Sequence, residues 1–224
     1  MNKLLYLLFL ITVFSCEQPQ SIKSKAGAET QKDSKYNSLL SLFNNVAIDT
    51  LEVYSTEDPA DPMSGRAIDS INALFFPEDM AQWHLHQPPG LFAIYKFGID
   101  SNRIGLLART PSDYVPSSVK LFFFDMAKDS LSSYIELGER WGDAGDYTIK
   151  NSWLFRDSSR HVQILINVTN GHHNEVDDPR DTTVVEQDLY TLLDLSKPKI
   201  DTIFEDKEKL PKQYKSLVRN RTRK

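Results

Sequence analysis

In HVQILINV, residues 161–168, the apolar side chains Val162, Ile164, Ile166 and Val168 fall on every second position, with Gln163 and Asn167 between them. Side chains alternate across an extended strand, so a period of two gives one apolar and one polar face, as a half-buried β-strand requires. The strand has a companion upstream, and together they read SWLFRDSSRHVQILINV, residues 152–168. An apolar run, a polar turn and a second alternating run make a β-hairpin, with Asp and Ser where the chain reverses. The same form appears three more times, in LFAIYKFGIDSNRIGLLAR (91–109), VKLFFFDMAKDSLSSYIEL (119–137) and DLYTLLDLSKPKIDTI (188–203).

Four hairpins supply about eight strands, and no helical pattern separates them, which excludes a parallel βαβ fold. The expectation is an all-β domain, an antiparallel meander of about eight strands folded into a sandwich or a barrel. Locally the hairpins resemble the strands of β-propeller blades, but eight strands would build only two blades where four or more are needed. Ahead of the meander, Leu39, Leu40, Leu42, Phe43 and Val46 have the spacing of a short N-terminal helix, and residues 48–54 read as a strand. Pro59 and Pro62 then interrupt regular structure. Apolar residues at 40% and aromatics at 11% are enough for a packed core.

The start of the chain has a different character. Lys3 precedes an apolar run from Leu4 to Phe14, closed by Ser15 and by Cys16, the only cysteine. The run is too short to span a membrane and has the layout of a signal peptide. Val13, Phe14, Ser15 and Cys16 resemble the lipobox of bacterial lipoprotein precursors, in which the cysteine receives lipid. The resemblance implies cleavage before Cys16, attachment of palmitate-type acyl chains there, and a membrane partner reached through that N-terminal lipid. It places the chain, exported, in the cell envelope, with the outer membrane as the expected location. With one cysteine no internal disulfide can form, so the core alone must hold the fold. The expected organisation is a signal peptide at 1–15, a lipidated terminus and flexible tether at 16–37, a β-rich domain at 38–206 and a basic tail at 207–224.

Charge is unevenly distributed. Residues 207–224 hold eight basic residues against Glu208, a net of +7, so the other 206 residues carry −12. A body that acidic repels nucleic acid, while the tail attracts phosphates or anionic lipid.

Candidate functional residues fall in four groups. ERWGDAGDY, residues 139–147, holds Trp141, Asp143, Asp146 and Tyr147, and with Trp153 these offer aromatic faces and carboxylates to a sugar or another ligand. Gly142 and Gly145 are expected to take positive φ in its turn. Glu136 and Glu139 extend the same acidic set toward a hydrolytic site. His84 and His86, two apart, could share one strand face as a metal pair, with His172 and His173 as further ligands. Residues 171–188 contain six acids and suit a long solvated loop, without the spacing of an EF-hand. Finally, Asp followed by Ser or Thr and then an aliphatic residue or Thr recurs with acceptor hydroxyls at Thr50, Ser70, Ser130, Thr182 and Thr202. The triplet resembles the acceptor motif for O-glycosylation of exported proteins in some Gram-negative bacteria, and also suits a turn leading into a strand.

No nucleophile elbow, phosphate loop or dinucleotide fingerprint is present, and no cofactor is expected. Two functions remain: a non-catalytic domain that binds an envelope protein or glycan, and an envelope hydrolase using the acids near Trp141.

Overall fold

The computed structural model describes residues 34–77, 90–112, 118–197 and 199–219. In chain order the elements are α1 (Asn37–Leu42), β1 (Asn44–Asn45), β2 (Thr50–Val53), β3 (Arg66–Ala67), α2 (Ser70–Ala73), β4 (Phe92–Gly98), β5 (Arg103–Thr110), β6 (Ser118–Asp125), β7 (Ser130–Asp143), β8 (Asp146–Arg156), β9 (Val162–His173), β10 (Val184–Asp194), β11 (Asp201–Asp206), α3 (Lys209–Gln213) and α4 (Lys215–Arg219). Strands β4 to β11 follow one another as an eight-stranded antiparallel meander. The four hairpins read from the sequence are β4–β5, β6–β7, β8–β9 and β10–β11, and α1 is the expected short helix. Three short strands join the sheet at its side: β1 lies parallel to β4, β3 antiparallel to β4, and β2 antiparallel to β8.

The fold turns on β7. Its first part, 130–138, pairs with β6, and its last part, 139–143, pairs with β8. Val119 lies opposite Gly138 and Lys120 opposite Glu136, which leaves Leu137 as an extra residue. Such a bulge bends a strand and increases its twist. The sheet therefore folds over, and Ile94, Phe97, Leu107 and Leu121 from one half meet Leu154, Ile164 and Leu193 from the other. Among the described residues the hydrogen-bonded path ends at β1 and β11 without closing, so these strands form a sandwich and not a closed barrel.

Both outer faces are covered. On the β4–β6 half, Leu106, Ala108, Phe122 and Phe124 pack under Tyr36, Leu39 and Phe43 from the α1 region and Ile68, Ala73 and Phe76 from the α2 region. On the β8–β10 half, Trp153, Phe155, Leu165, Tyr190 and Leu192 pack under Leu210, with Tyr214, Leu217 and Val218 alongside. This corrects the basic tail expected from residue 207. Residues 210, 214, 217 and 218 form an apolar stripe at helical spacing within a lysine-rich segment, and the stripe docks on the sheet. Ordered packing likewise starts earlier than expected, since Tyr36 is buried and the Ser34 hydroxyl donates to Asp129. Cys16 and the signal-peptide segment lie outside the described residues.

If α3 is part of the core, Leu210→Ala should cost about 2–5 kcal/mol, as buried Leu truncations do. Lys212→Ala, on the solvent side, should stay within about 0.5 kcal/mol. Urea unfolding of the two variants measures the difference.

Candidate functional site

The β7–β8 connection is a two-residue turn in which Ala144 and Gly145 both have positive φ, 49° and 91°, between the paired Asp143 and Asp146. Two left-handed residues in succession match the right-handed twist of the flanking strands. Gly142, expected to share that role, sits in the strand instead. A Cβ on it would lie 2.8 Å from the Asp146 carbonyl oxygen, so there glycine serves close packing.

Beside this hairpin lies a groove of about 930 Å³. One wall is the segment 55–58, which follows β2. That wall is held by its own hydrogen bonds. The Tyr54 hydroxyl donates to Asp61 at 3.0 Å, the Asp58 carboxylate accepts from the Ala60 amide at 2.9 Å, and Thr56 Oγ1 accepts from the Asp58 amide at 3.2 Å. Burial and Asp61 push the Tyr54 hydroxyl up to about 12, which keeps it protonated as a donor. The opposite wall comes from the hairpin itself, with Arg140, Trp141, Tyr147 and Ile149, and from β9 and β10 through His173 and Glu186.

Tyr147 organises this wall. It pairs with Gly171 on β9, and a Cβ at 171 would lie 2.1 Å from the tyrosine ring. With no side chain beneath it, the ring lies across β9, and its hydroxyl donates to Glu186 Oε1 on β10 at 2.6 Å. The His173 ring packs on it at a centroid distance of 5.2 Å.

Of the five residues expected to meet a ligand, Trp141, Tyr147, Asp143 and Asp146 line the groove. Trp153 does not join them. It shares Tyr147's face of β8, but six residues further along that face is covered by α3 and α4, leaving the indole 1% exposed. The acids also separate. Asp143 and Asp146 border the groove, whereas Glu136 and Glu139 are absent from its lining and belong to an ion network at the β7 bulge.

In that network Lys150 donates to Glu136 at 2.6 Å and lies 3.7 Å from Glu139. Lys120 is buried, donates to Thr110 and Ser118, and approaches Glu136 at 3.5 Å. Burial pushes the Lys120 ammonium down against the pull of Glu136. Burial raises Glu139, and its contact with Glu136 raises it further. For Glu136 burial is the largest effect, but hydrogen bonds from Glu139 and Lys150 and the ammonium charges outweigh it, so its carboxyl falls below the usual range. The two carboxyls titrate as a pair.

His84 and His86 lie outside the described residues. His172 and His173, proposed to complete a metal site with them, are neighbours on β9 and so point to opposite faces. Among the described residues no group of three or more His, Cys, Asp or Glu side chains could hold a metal ion. His172 bridges two carboxylates instead, with Nδ1 2.7 Å from Asp146 and Nε2 3.0 Å from Asp177.

The long acidic loop is shorter than expected, because β9 runs to His173 and β10 starts at Val184. The remaining residues, 174–183, are drawn onto the hairpin turn by His172 and by Val176, which lies over Gly145. Of the motif hydroxyl residues, Thr50, Ser70, Thr182 and Thr202 are exposed and Ser130 is half-buried. The preceding aspartates also have local work: Asp69 caps α2, and Asp181 accepts from the Thr183 amide at 3.0 Å. Compared with known protein families, curated proteins and solved structures, the chain matches none.

Two outcomes follow from this geometry. Gly171→Ala should displace the Tyr147 ring and break its bond to Glu186, seen as a shifted Tyr147 ring resonance and a loss of roughly 1–3 kcal/mol of stability from overpacking. His172, hydrogen-bonded first by Asp146 and then by Asp177, has its pKa raised above the ordinary value of 6.5. The clamp is therefore at full strength below about pH 6.5 and is lost as pH rises through the raised value. NMR titration of His172 should place its midpoint above 6.5, and Asp177→Asn should lower it.

Proposed function

We propose that this protein is a cell-envelope lipoprotein, lipidated at Cys16, whose sandwich domain binds a glycan segment in the groove beside the β7–β8 hairpin without catalysing a reaction on it. The observation that carries the binding reading is the groove, which is lined by Trp141 and Tyr147 and by Arg140, Asp143 and Glu186. Aromatic faces take up the apolar faces of a sugar ring, and carboxylate and guanidinium groups bond its hydroxyls. The groove volume also falls within the range of small-molecule sites. Support for the anchor is the run from Val13 to Cys16. The outer membrane is the proposed location, and Thr50, Ser70, Thr182 and Thr202 are the exposed candidates for O-glycosylation.

Hydrolysis by Glu136 and Glu139 is disfavoured. Glycosidase carboxyls stand about 5–9.5 Å apart on either side of the bond they cleave, whereas these two converge on one ammonium, Lys150 at 2.6 and 3.7 Å, and neither lines the groove.

Intact mass of the protein from its native membrane should show a chain beginning at Cys16 with added acyl mass, and Cys16→Ala should abolish it. Hexose-sized increments would mark glycosylation. Titration of the purified protein with peptidoglycan fragments and a panel of envelope glycans should find a binder that Trp141→Ala weakens at least ten-fold with unchanged thermal stability. A panel with no binder would overturn the glycan reading.

A further inference from the structure

The C-terminal helices present two different faces. Their apolar stripe, Leu210, Tyr214, Leu217 and Val218, is taken up by the sheet. Lys209, Lys212 and Lys215 in these helices, and Lys207 just ahead of them, are all exposed. The docked stripe therefore fixes where the charges stand: they form one side of a packed element and are not spread along a loose tail. Beside them, β11 runs along the edge of the sheet, and Ile203 and Phe204 are 48% and 40% exposed there. Ile203 is the extra residue of a bulge, since Leu192 lies opposite Phe204 and Leu193 opposite Thr202. The Lys209 ammonium stands 5.8 Å from the Phe204 ring.

The acids in this region are Glu205, Asp206 and Glu208, with Asp157 near Tyr214. Asp206 is engaged at the start of α3, accepting from the amides of Glu208 and Lys209, and Glu208 lies 3.7 Å from Lys212. The sequence continues past α4 with Arg221, Arg223 and Lys224, so positive charge accumulates at this end of a chain whose remaining 206 residues carry −12.

We propose that the lysine face of α3 and α4, with Ile203 and Phe204 at its border, is a docking surface for an anionic lipid bilayer. The proposal rests on the reading that the domain is held at a membrane. Charge complementarity selects the occupant: phosphate headgroups attract the four exposed lysines, while the neighbouring Asp206 and Glu208 are engaged at the start of α3 and with Lys212. Exposed aromatic and aliphatic side chains beside lysines suit the headgroup boundary, where an apolar body and a charged tip are both accommodated. Such contact adds a second, weak attachment to the N-terminal lipid and sets which side of the sandwich faces the bilayer.

The test is sedimentation of the unlipidated mature chain, residue 17 onward, whose described core lies entirely beyond residue 33. It is mixed with vesicles of phosphatidylcholine alone or with phosphatidylglycerol added. Binding should occur only with the anionic vesicles and should fall as salt is raised, because exposed charges are screened over about 10 Å at 0.1 M. Each lysine near the surface contributes about a five-fold gain in binding, so reversing Lys207, Lys209, Lys212 and Lys215 to Glu should lower it by well over ten-fold. Lys128→Glu, an exposed lysine in the β6–β7 turn, should leave it unchanged. If the reversal variant fails to fold by circular dichroism, the Lys→Gln set replaces it. Equal binding to neutral vesicles, no binding to either, or binding unaffected by the four substitutions would overturn the proposal. Because the protein in this assay carries no lipid, its outcome is independent of whether Cys16 proves to be acylated.

Discussion

Everything in this domain depends on one strand serving two partners. When β7 leaves β6 for β8, the extra residue Leu137 sits buried where the ladders change over, and its carbonyl oxygen needs a donor. The buried Ser152 hydroxyl supplies it at 2.7 Å. Gly138 completes the crossing, since a Cβ there would come within 2.7 Å of the Tyr54 backbone and push away the segment that becomes the groove wall. The ions gather at the same place. Lys120 from β6, Glu136 and Glu139 from either side of the bulge, and Lys150 from β8 form a chain that spans it. Lys120 is buried and the other three are half-buried; ion pairs out of water add little net stability over apolar packing, yet removing one partner strands the other. The network therefore acts to hold the pairing change in register.

The remaining constraints hold the two halves against each other. Arg103 in β5 donates to the carbonyls of Leu195 and Lys197 after β10, and Arg156 at the end of β8 donates to the carbonyl of Gly98 at the end of β4. These bonds join the halves of the sandwich at a margin where the apolar core gives way to solvent. A guanidinium suits the task, because its fixed fork can serve two backbone acceptors at once. With α1 and α2 on one outer face and α3 and α4 on the other, the domain is layered helix, sheet, sheet, helix, and its groove opens at a hairpin tip that none of these four helices lines.

How much of this the sequence displays differs from element to element. The eight-stranded meander is legible because each hairpin joins an apolar run to a second, alternating run through a turn carrying Asp, Ser, Asn or Gly. The change of partner in β7 is not, because Ile135-Glu136-Leu137-Gly138-Glu139 gives no local sign that one residue will be left unpaired. The helices α3 and α4 are hidden by their own lysines: charge suggests a solvated tail, while the stripe at 210, 214, 217 and 218 becomes visible only when read at helical period. At the groove, Trp141, Asp143, Asp146 and Tyr147 can be found because they share one short stretch. Arg140, Glu186, His173 and the 55–58 wall come from register and from pairings distant in the chain. Trp153 is misleading for the same reason, because strand parity fixes its face but not what covers that face.

Nearly every ladder in the sheet joins strands that are also successive in the chain, from β4 and β5 through to β10 and β11. The exception of greatest reach is β2, which pairs with β8 about 100 residues later. Closing a hairpin loop costs little chain entropy, while bringing β2 to β8 costs more and repays it with only four residue pairs. In kinetic terms the meander can assemble hairpin by hairpin, with the N-terminal segment laid on afterwards. The wall of the groove is part of that late segment, so the groove is among the last features to form and among the first to open.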